Sequence, residues 1–309
     1  MPTLLRRTTR FAVRPGGLAA GGARDTRAPT RGVNGYAGSP PMVGLASFVE
    51  CTVECVGEPD PTSGYLINIK EIDDAVHERV RPLLEEECGA PVPHDSLFPT
   101  PDLGRVLAEA LAGLRDALPV EVVGLTLGLS PYHAVSMPPD PDANSPTPSS
   151  PAPPTPASAT ISLRFDFAAS HRLHVAGWDE ATNHDYFGKC NNPNGHGHNY
   201  QVEVRVAVPT AMLGRFPTDA LERVVHETVI ARFDHKHLNL DTEEFADGCG
   251  LNPTVENIAR VCYDLLAGPV AGLGDGRDEG PGDNAEGGGV WLRSVRVWET
   301  DRTSSEYPA

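Results

Sequence analysis

An α+β fold with antiparallel sheets, present twice along the chain, is predicted by three features of the sequence. Strand-like and helix-like segments are grouped rather than strictly alternating, which argues against a parallel α/β sheet. A Pro/Ser/Ala segment without apolar periodicity, MPPDPDANSPTPSSPAPPTPASA at 137–159, reads as a semi-extended linker between 1–136 and 160–309. The two parts run through the same order of elements, which marks an internal duplication.

The first part opens on an arginine-rich start, MPTLLRRTTRFAVRP, with the composition of a transit peptide. Its Arg-Phe-Ala-Val alternation suits a first strand instead, at 10–14. In FVECTVECV, Val49, Cys51, Val53 and Cys55 alternate with polar residues and predict a second strand with one apolar face. The turn GEPDPTSG follows, then a helix with Ile72, Val76, Val80 and Leu83. FPTPDLGRVLAEALAGL makes a second helix and VEVVGLTLGL a closing strand. In the second part LRFDFAASHRL (163–173) and NYQVEVRVAV (199–208) are the strands, and Leu221, Val225 and Val229 line one face of a helix. NPTVENIARVCYDLL (252–266) starts a second helix with Pro and Thr ahead of an apolar stripe. VRVWETD is the closing strand. Gly64 is matched to Gly214, and Pro99-Thr100 to Pro253-Thr254. The run GLGDGRDEGPGDNAEGGG (272–289) is expected to be a solvated acidic insert.

Composition narrows the function classes. A formal charge of −17 over 309 residues argues against a general nucleic-acid binder, though not against a small anionic substrate. No apolar run approaches the roughly 20 residues of a membrane span. Six cysteines are too few for a disulfide scaffold of this length. Reduced cysteines without a secretory signal point to the cytoplasm.

Chemistry concentrates in FGKCNNPNGHGHNY (187–200). His196 and His198 flank Gly197 at the mouth of a strand, where side chains two apart share a face and reach one metal ion. Imidazole suits zinc, and three protein ligands with an open position mark a catalytic site. The third ligand comes from elsewhere: His171 at the end of the preceding strand is best placed, with His174 its competitor. Cys190, beside Lys189, has no paired cysteine at short spacing. It therefore reads as a reactive thiol rather than a fourth ligand, since a nearby cation lowers a thiol's pKa. In FDHKHLNLD (233–241), Asp234 and His235 can form a carboxylate-oriented acid/base pair.

Taken together, AASHRLH, FGKCNNPNGHGHNY, FDHKHLNLD, NPTVENIA and VRVWETD, in this order, resemble the 6-pyruvoyl-tetrahydropterin synthase family over 163–303 apart from the acidic insert. The resemblance implies tandem T-fold (tunnelling-fold) units, each an antiparallel sheet with two helices. It implies Zn²⁺ on His171, His196 and His198, with Cys190 as catalytic thiol and Asp234 and His235 as proton-relay partners. Glu299 would grip the pterin ring, helped by Thr254 and Glu256. The implied substrate is 7,8-dihydroneopterin triphosphate and the implied product 6-pyruvoyl-tetrahydropterin. A related branch of the same fold forms 6-carboxytetrahydropterin for queuosine synthesis and releases acetaldehyde. The Cys-x5-His-Gly-His spacing resembles the 6-pyruvoyl type. A non-catalytic pterin- or zinc-binding module is the remaining alternative, and it would need neither Cys190 nor Asp234-His235.

The departures from the family pattern matter equally. The usual Asp-Pro-x-Thr-Gly hairpin is replaced in the second part by PTAMLGRFPTD, whereas the first part keeps it as PDPTSG. The first part has no HGH, no DHK and, where Glu299 should have a counterpart, Leu129 or Ser130. Asp102, in the slot of Glu256, is its only echo. The first part therefore reads as a catalytically silent copy. Because family members form stacked rings with sites shared between neighbours, a homo-oligomer of three chains, giving six units, is expected.

Overall fold

The computed structural model describes residues 2–13, 47–88, 102–137, 158–246, 251–274 and 289–309. Most of the expected linker and the acidic insert therefore lie outside the described residues, as do Pro99 and Thr100. The chain is α+β and divides into two compact units, Met1–Ile161 with Val208–Phe216, and Ser162–Ala207 with Pro217–Ala309.

In the first unit β1 (Thr3–Val13), β2 (Ser47–Gly57), β3 (Glu121–Ser130) and β4 (His133–Met137) lie side by side in sequence order, each pair antiparallel. The alternation of β2 does what its pattern demands: Val49, Cys51, Val53 and Cys55 are all buried. Burial pushes the Cys51 thiol up to about 12 and Cys55 to about 11, so both are inert core residues. The first strand is longer than the 10–14 segment expected, because the Arg/Thr alternation before it also pairs with β2.

Helix α1 (Ile69–Ala75) runs through one π turn (Val76–Val80) into α2 (Arg81–Cys88). The π turn has a physical reason. Apolar residues four apart drift about 40° per step around an ideal helix of 3.6 residues per turn. One wider turn cancels that drift, so Ile72, Val76, Val80 and Leu84 stay on the buried face. Leu84 thus takes the core place expected for Leu83. Helix α3 (Leu103–Ala117) buries Val106, Leu107, Ala110, Leu111 and Leu114 and packs on β3 and β4.

Asp102 is the N-cap of α3, accepting from the Arg105 N–H at 3.0 Å. That is the place Thr254 holds on its own helix, so Asp102 corresponds to Thr254 and not to Glu256. Nor do Gly64 and Gly214 share a conformation. Gly64 closes the 60–65 turn at φ +73°, whereas Gly214 lies in a 3-10 turn, Thr210–Arg215.

That 3-10 turn, built from the unexpected PTAMLGRFPTD, packs on α3. A Cβ at Gly104 would lie 2.3 Å from the Thr210 carbonyl oxygen, a backbone atom that has nowhere to go. Gly104→Val is accordingly expected to cost about 1–3 kcal/mol or more, read as a lowered denaturant midpoint with an unchanged slope.

The second unit has a similar succession of elements. It runs through β5 (Ser158–His171), α4 (Glu180–Phe187), β6 (His196–Pro209) and α5 (Thr218–Val225), then a π turn (His226–Ile230) into α6 (Ala231–Phe233). The bridge β7 (Lys236–His237) and α7 (Leu238–Asp241) lead to α8 (Val255–Ala271), β8 (Trp291–Thr300) and β9 (Thr303–Tyr307). Of these, α4, β7 and α7 are additions to the described elements of the first unit. Its strand order is β5-β6-β8-β9, with β7 added to β5 in parallel. Leu221, Val225 and Val229 are again buried through the π turn. Helix α8 packs on β8 and β9 through Ile258, Ala259, Cys262, Leu266 and Val270. Even the ladder irregularities repeat. Glu54/Cys55 in β2 answers to Arg205/Val206 in β6, and Gly128/Ser130 in β3 to Trp298/Thr300 in β8. This register sets Leu129 at the position of Glu299.

Candidate active site

The end of β5 and the start of β6 bring His171, His196 and His198 together, with one nitrogen of each within 4.8 Å of the others. Among the described residues this is the one such group. His171 is fully buried, and its Nδ1–H donates to the Pro253 carbonyl at 2.7 Å. That bond fixes the tautomer and leaves the Nε2 lone pair facing the Nε2 of His196 at 3.0 Å. The Nε2 of His198 is buried without a hydrogen-bond partner. Converging lone pairs in a buried place are costly unless a cation sits among them, and three neutral imidazoles are a good donor set for a divalent metal. The residues fit a metal ion.

His174, the competing third histidine, is occupied elsewhere. Its backbone N–H donates to Asn252 Oδ1 at 3.2 Å, and its ring Nδ1 lies 3.1 Å from the Asn191 side-chain nitrogen. Asn191 also donates to the Leu173 carbonyl, and Leu173 N–H returns a bond to the Cys190 carbonyl. This net pins the short 3-10 segment Gly188–Asn191, and with it Cys190, beside the end of β5.

Glu299 reaches the histidines from β8, with Oε1 3.5 Å from His171 Nε2 and 3.6 Å from His198 Nε2. Burial and this carboxylate push the Cys190 thiol above its ordinary range. As the chain stands, Cys190 is therefore a protonated thiol, and a positive charge nearby is needed to activate it. Thr254 caps α8 by accepting from the Asn257 N–H, and Glu256 is exposed in the first turn. Among the described residues, no hydrogen bond or ion pair joins either side chain to the triad. The helix start meets it instead through the Pro253 carbonyl.

Asp234 and His235 lie between α6 and β7. Asp234 Oδ1 accepts from the Ala168 N–H at 2.9 Å, and Oδ2 lies 2.8 Å from His235 Nδ1. The Ala168 bond, then the His235 bond, hold the Asp234 carboxyl below its usual range. An ionised carboxylate only accepts, so Nδ1 of His235 carries the proton and Nε2 is its exchanging face. His235 is 83% exposed and adopts φ +56°, a left-handed conformation uncommon for histidine. Among the described residues, no hydrogen bond or ion pair joins this dyad to Cys190. A cleft of about 400 Å³ separates strand ends here, lined by Ser170, His198, Asn199, His235, Lys236 and His237.

Three contributors lie within the quoted motifs, but no sequence signal assigned them a role. Pro253 lies 82 residues from the histidine it holds. Tyr200, fully buried and stacked on Phe167, places its hydroxyl 3.4 Å from His171 Nδ1. His237 follows the dyad but packs against the turn before His196.

The buried His171 also sets a pH dependence. Burial, partly offset by the Pro253 bond, lowers its pKa from 6.5 to about 4. The unfolded chain then binds the extra proton between about pH 6.5 and about pH 4, so stability of the metal-free protein falls as pH drops through that window. The loss from this group is about 3 kcal/mol. Urea midpoints of the metal-free protein at pH 7 and pH 4.5 measure it, and His171→Gln should remove that part of the slope.

Fold and site together define an α+β protein with a part-buried three-histidine centre of the kind that holds a metal, edged by the Glu299 carboxylate. The sequence model of the family described as 6-pyruvoyl tetrahydropterin synthase matches residues 160–309. Human 6-pyruvoyl tetrahydrobiopterin synthase is 40% identical over 112 residues, covering 35% of this chain and 74% of the human protein. The Drosophila melanogaster protein of the same name is 39% identical over 112 residues, 35% of this chain and 64% of its own. A solved structure of Caenorhabditis elegans 6-pyruvoyl tetrahydropterin synthase aligns with 48% of this chain and 94% of its own. Its sequence identity is 26% and its TM-score 0.38. The chain belongs to the 6-pyruvoyl tetrahydropterin synthase family.

Proposed function

We propose that the second unit is a zinc-dependent lyase that converts 7,8-dihydroneopterin triphosphate to 6-pyruvoyl-tetrahydropterin with loss of triphosphate. The observation that carries this reading is the convergence of His171, His196 and His198, with Glu299 close to two of them and near enough to Cys190 to raise its thiol pKa. The curated relatives bear the name of the same activity.

His171, His196 and His198 would hold the zinc, with Pro253 keeping His171 in the ligating tautomer. Bound there, zinc supplies Lewis acidity that makes the hydroxyls of the substrate side chain easier to deprotonate. Glu299 accepts from the adjacent amino and ring N–H donors of the pterin and so sets which carbon faces Cys190. Cys190 takes a proton from that side chain and His235, oriented by Asp234, exchanges one through Nε2. The double bond of the ring is reduced as the side chain is oxidised, so no external redox cofactor is needed. Thr254 and Glu256 lie at the rim of the pterin end in this scheme.

The first unit reads as a silent copy that completes an oligomer. The matched π turns and ladder irregularities support the duplication, and Leu129 in the register of Glu299 supports the silence. Native mass spectrometry is expected to give a homo-oligomer, three chains supplying six units, and a stable monomer would contradict it.

No described helix is long and apolar enough to cross a membrane, which suits a protein working in the cytoplasm. The deciding assay incubates zinc-loaded protein with dihydroneopterin triphosphate and identifies products by mass. A pyruvoyl product is expected. A carboxy product with acetaldehyde assigns the chain to the queuosine-type branch, and no turnover leaves only a binding module.

A further inference from the structure

We propose that His237 is a positioning residue for the metal centre, a wedge that holds the turn carrying His196 against the strand end carrying His171. The inference rests on the metal-binding role proposed for those histidines.

His237 is anchored on its backbone side. It pairs with Ser170, the residue before His171, in the β5–β7 bridge, and its N–H donates to Asp241 Oδ2 at 2.8 Å. From this anchor the ring reaches the NNPNG turn. A Cβ built on Gly195 would stand 2.6 Å from His237 Nε2 and 3.0 Å from the carbonyl oxygen of His171. Gly195 itself sits at φ +71° and closes the turn by donating its N–H to the Asn192 carbonyl at 2.8 Å. His196 follows immediately. The ring, the turn and the His171 backbone therefore meet where not even a methyl group fits. Glycine at 195 is required twice, once for its left-handed backbone and once for the ring that fills its side-chain space.

Two observations separate this role from the others open to a histidine here. His237 is outside the group whose nitrogens converge on one point. Its Nδ1 is buried with no hydrogen-bond partner, so the ring is not held in place by a bond through that atom. A buried imidazole nitrogen without a partner is a cost, and an apolar side chain of similar volume, such as methionine, avoids it. Shape is what the position uses. Groups that orient metal ligands typically account for about 10–100-fold in metal affinity.

The test titrates metal-free, full-length protein with zinc against a chromophoric chelator. His237→Ala is expected to weaken zinc about 10–100-fold, while His237→Met, which keeps the side-chain volume, binds clearly more tightly than His237→Ala. Gly195→Ala should weaken zinc in the wild-type background and do less further harm in the His237→Ala background. The backbone strain at 195 is common to both backgrounds, so non-additivity isolates the ring. Wild-type affinity in His237→Ala overturns the proposal alone, as do fully additive losses. A His237→Met that is as weak as His237→Ala also overturns it, by assigning the effect to the nitrogens. A wild-type protein that takes no zinc removes the metal reading and this inference with it. Melting of the metal-free variants is the control: a fall in His237→Ala equal to its fall with zinc bound means general packing, and sinks the positioning role.

Discussion

Cys190→Ala is expected to lower turnover of dihydroneopterin triphosphate by about 10²–10⁴-fold while zinc content stays at the wild-type level. The two readouts must separate because the thiol is not in the group of converging nitrogens. Loss of zinc in this variant would make Cys190 a ligand and not a base. A subtler consequence follows from the electrostatics. Burial, and then the Glu299 carboxylate, raise the Cys190 pKa. A metal held by the three histidines opposes that carboxylate, so alkylation of Cys190 at pH 7 should be faster in zinc-loaded than in metal-free protein. Glu299→Gln removes the negative charge and should also speed alkylation, yet it should slow turnover because the pterin donors lose a charged acceptor. A variant faster in thiol chemistry and slower in catalysis separates activation of the thiol from placement of the substrate. If Glu299→Gln leaves both unchanged, the carboxylate is a bystander to the histidines it borders.

Much of this site was legible because its chemistry is local in the chain. Histidines two apart on a strand share a face whatever surrounds them, and Asp234 and His235 are neighbours. The third histidine was not decided by spacing. His171 and His174 are three apart at a strand end, and what separates them is tertiary. One is fully buried with its tautomer held by Pro253, and the other turns its ring to the Asn191 amide. The apolar residues four apart were legible as helix faces. The π turns that keep those faces buried were not, because periodicity counts which residues are inside and not how the backbone accommodates them. The replacement of the expected hairpin by PTAMLGRFPTD was visible only as a departure. Its physical sense lies in the 3-10 turn that closes on Gly104, a contact between residues far apart in sequence. Asp102 shows the opposite error. Counting from Pro99 put it two positions into a helix that it in fact caps.

His235→Ala is expected to reduce turnover by about 10²–10⁴-fold without loss of zinc, and Asp234→Asn by a similar factor. In Asp234→Asn the amide still accepts from Ala168 through its oxygen, but its nitrogen then faces His235 Nδ1. That ring must move its proton to Nε2, which reverses the exchanging face. Backbone strain gives an independent check. At φ +56°, His235→Gly should be more stable than His235→Ala by about 1 kcal/mol, though both are inactive, since glycine alone enters this region freely. The dyad's position raises a sharper expectation. His235 is 83% exposed and shares no hydrogen bond with Cys190, and in the oligomer proposed above its proton partner would be the thiol of another chain. Co-assembled Cys190→Ala and His235→Ala chains would then contain some sites with both groups intact, and activity should return to a fraction of wild type. Each variant alone stays inactive in the same assay. If verified mixed oligomers remain as inactive as their parents, the dyad serves its own chain, and a movement within the unit must bring His235 to Cys190.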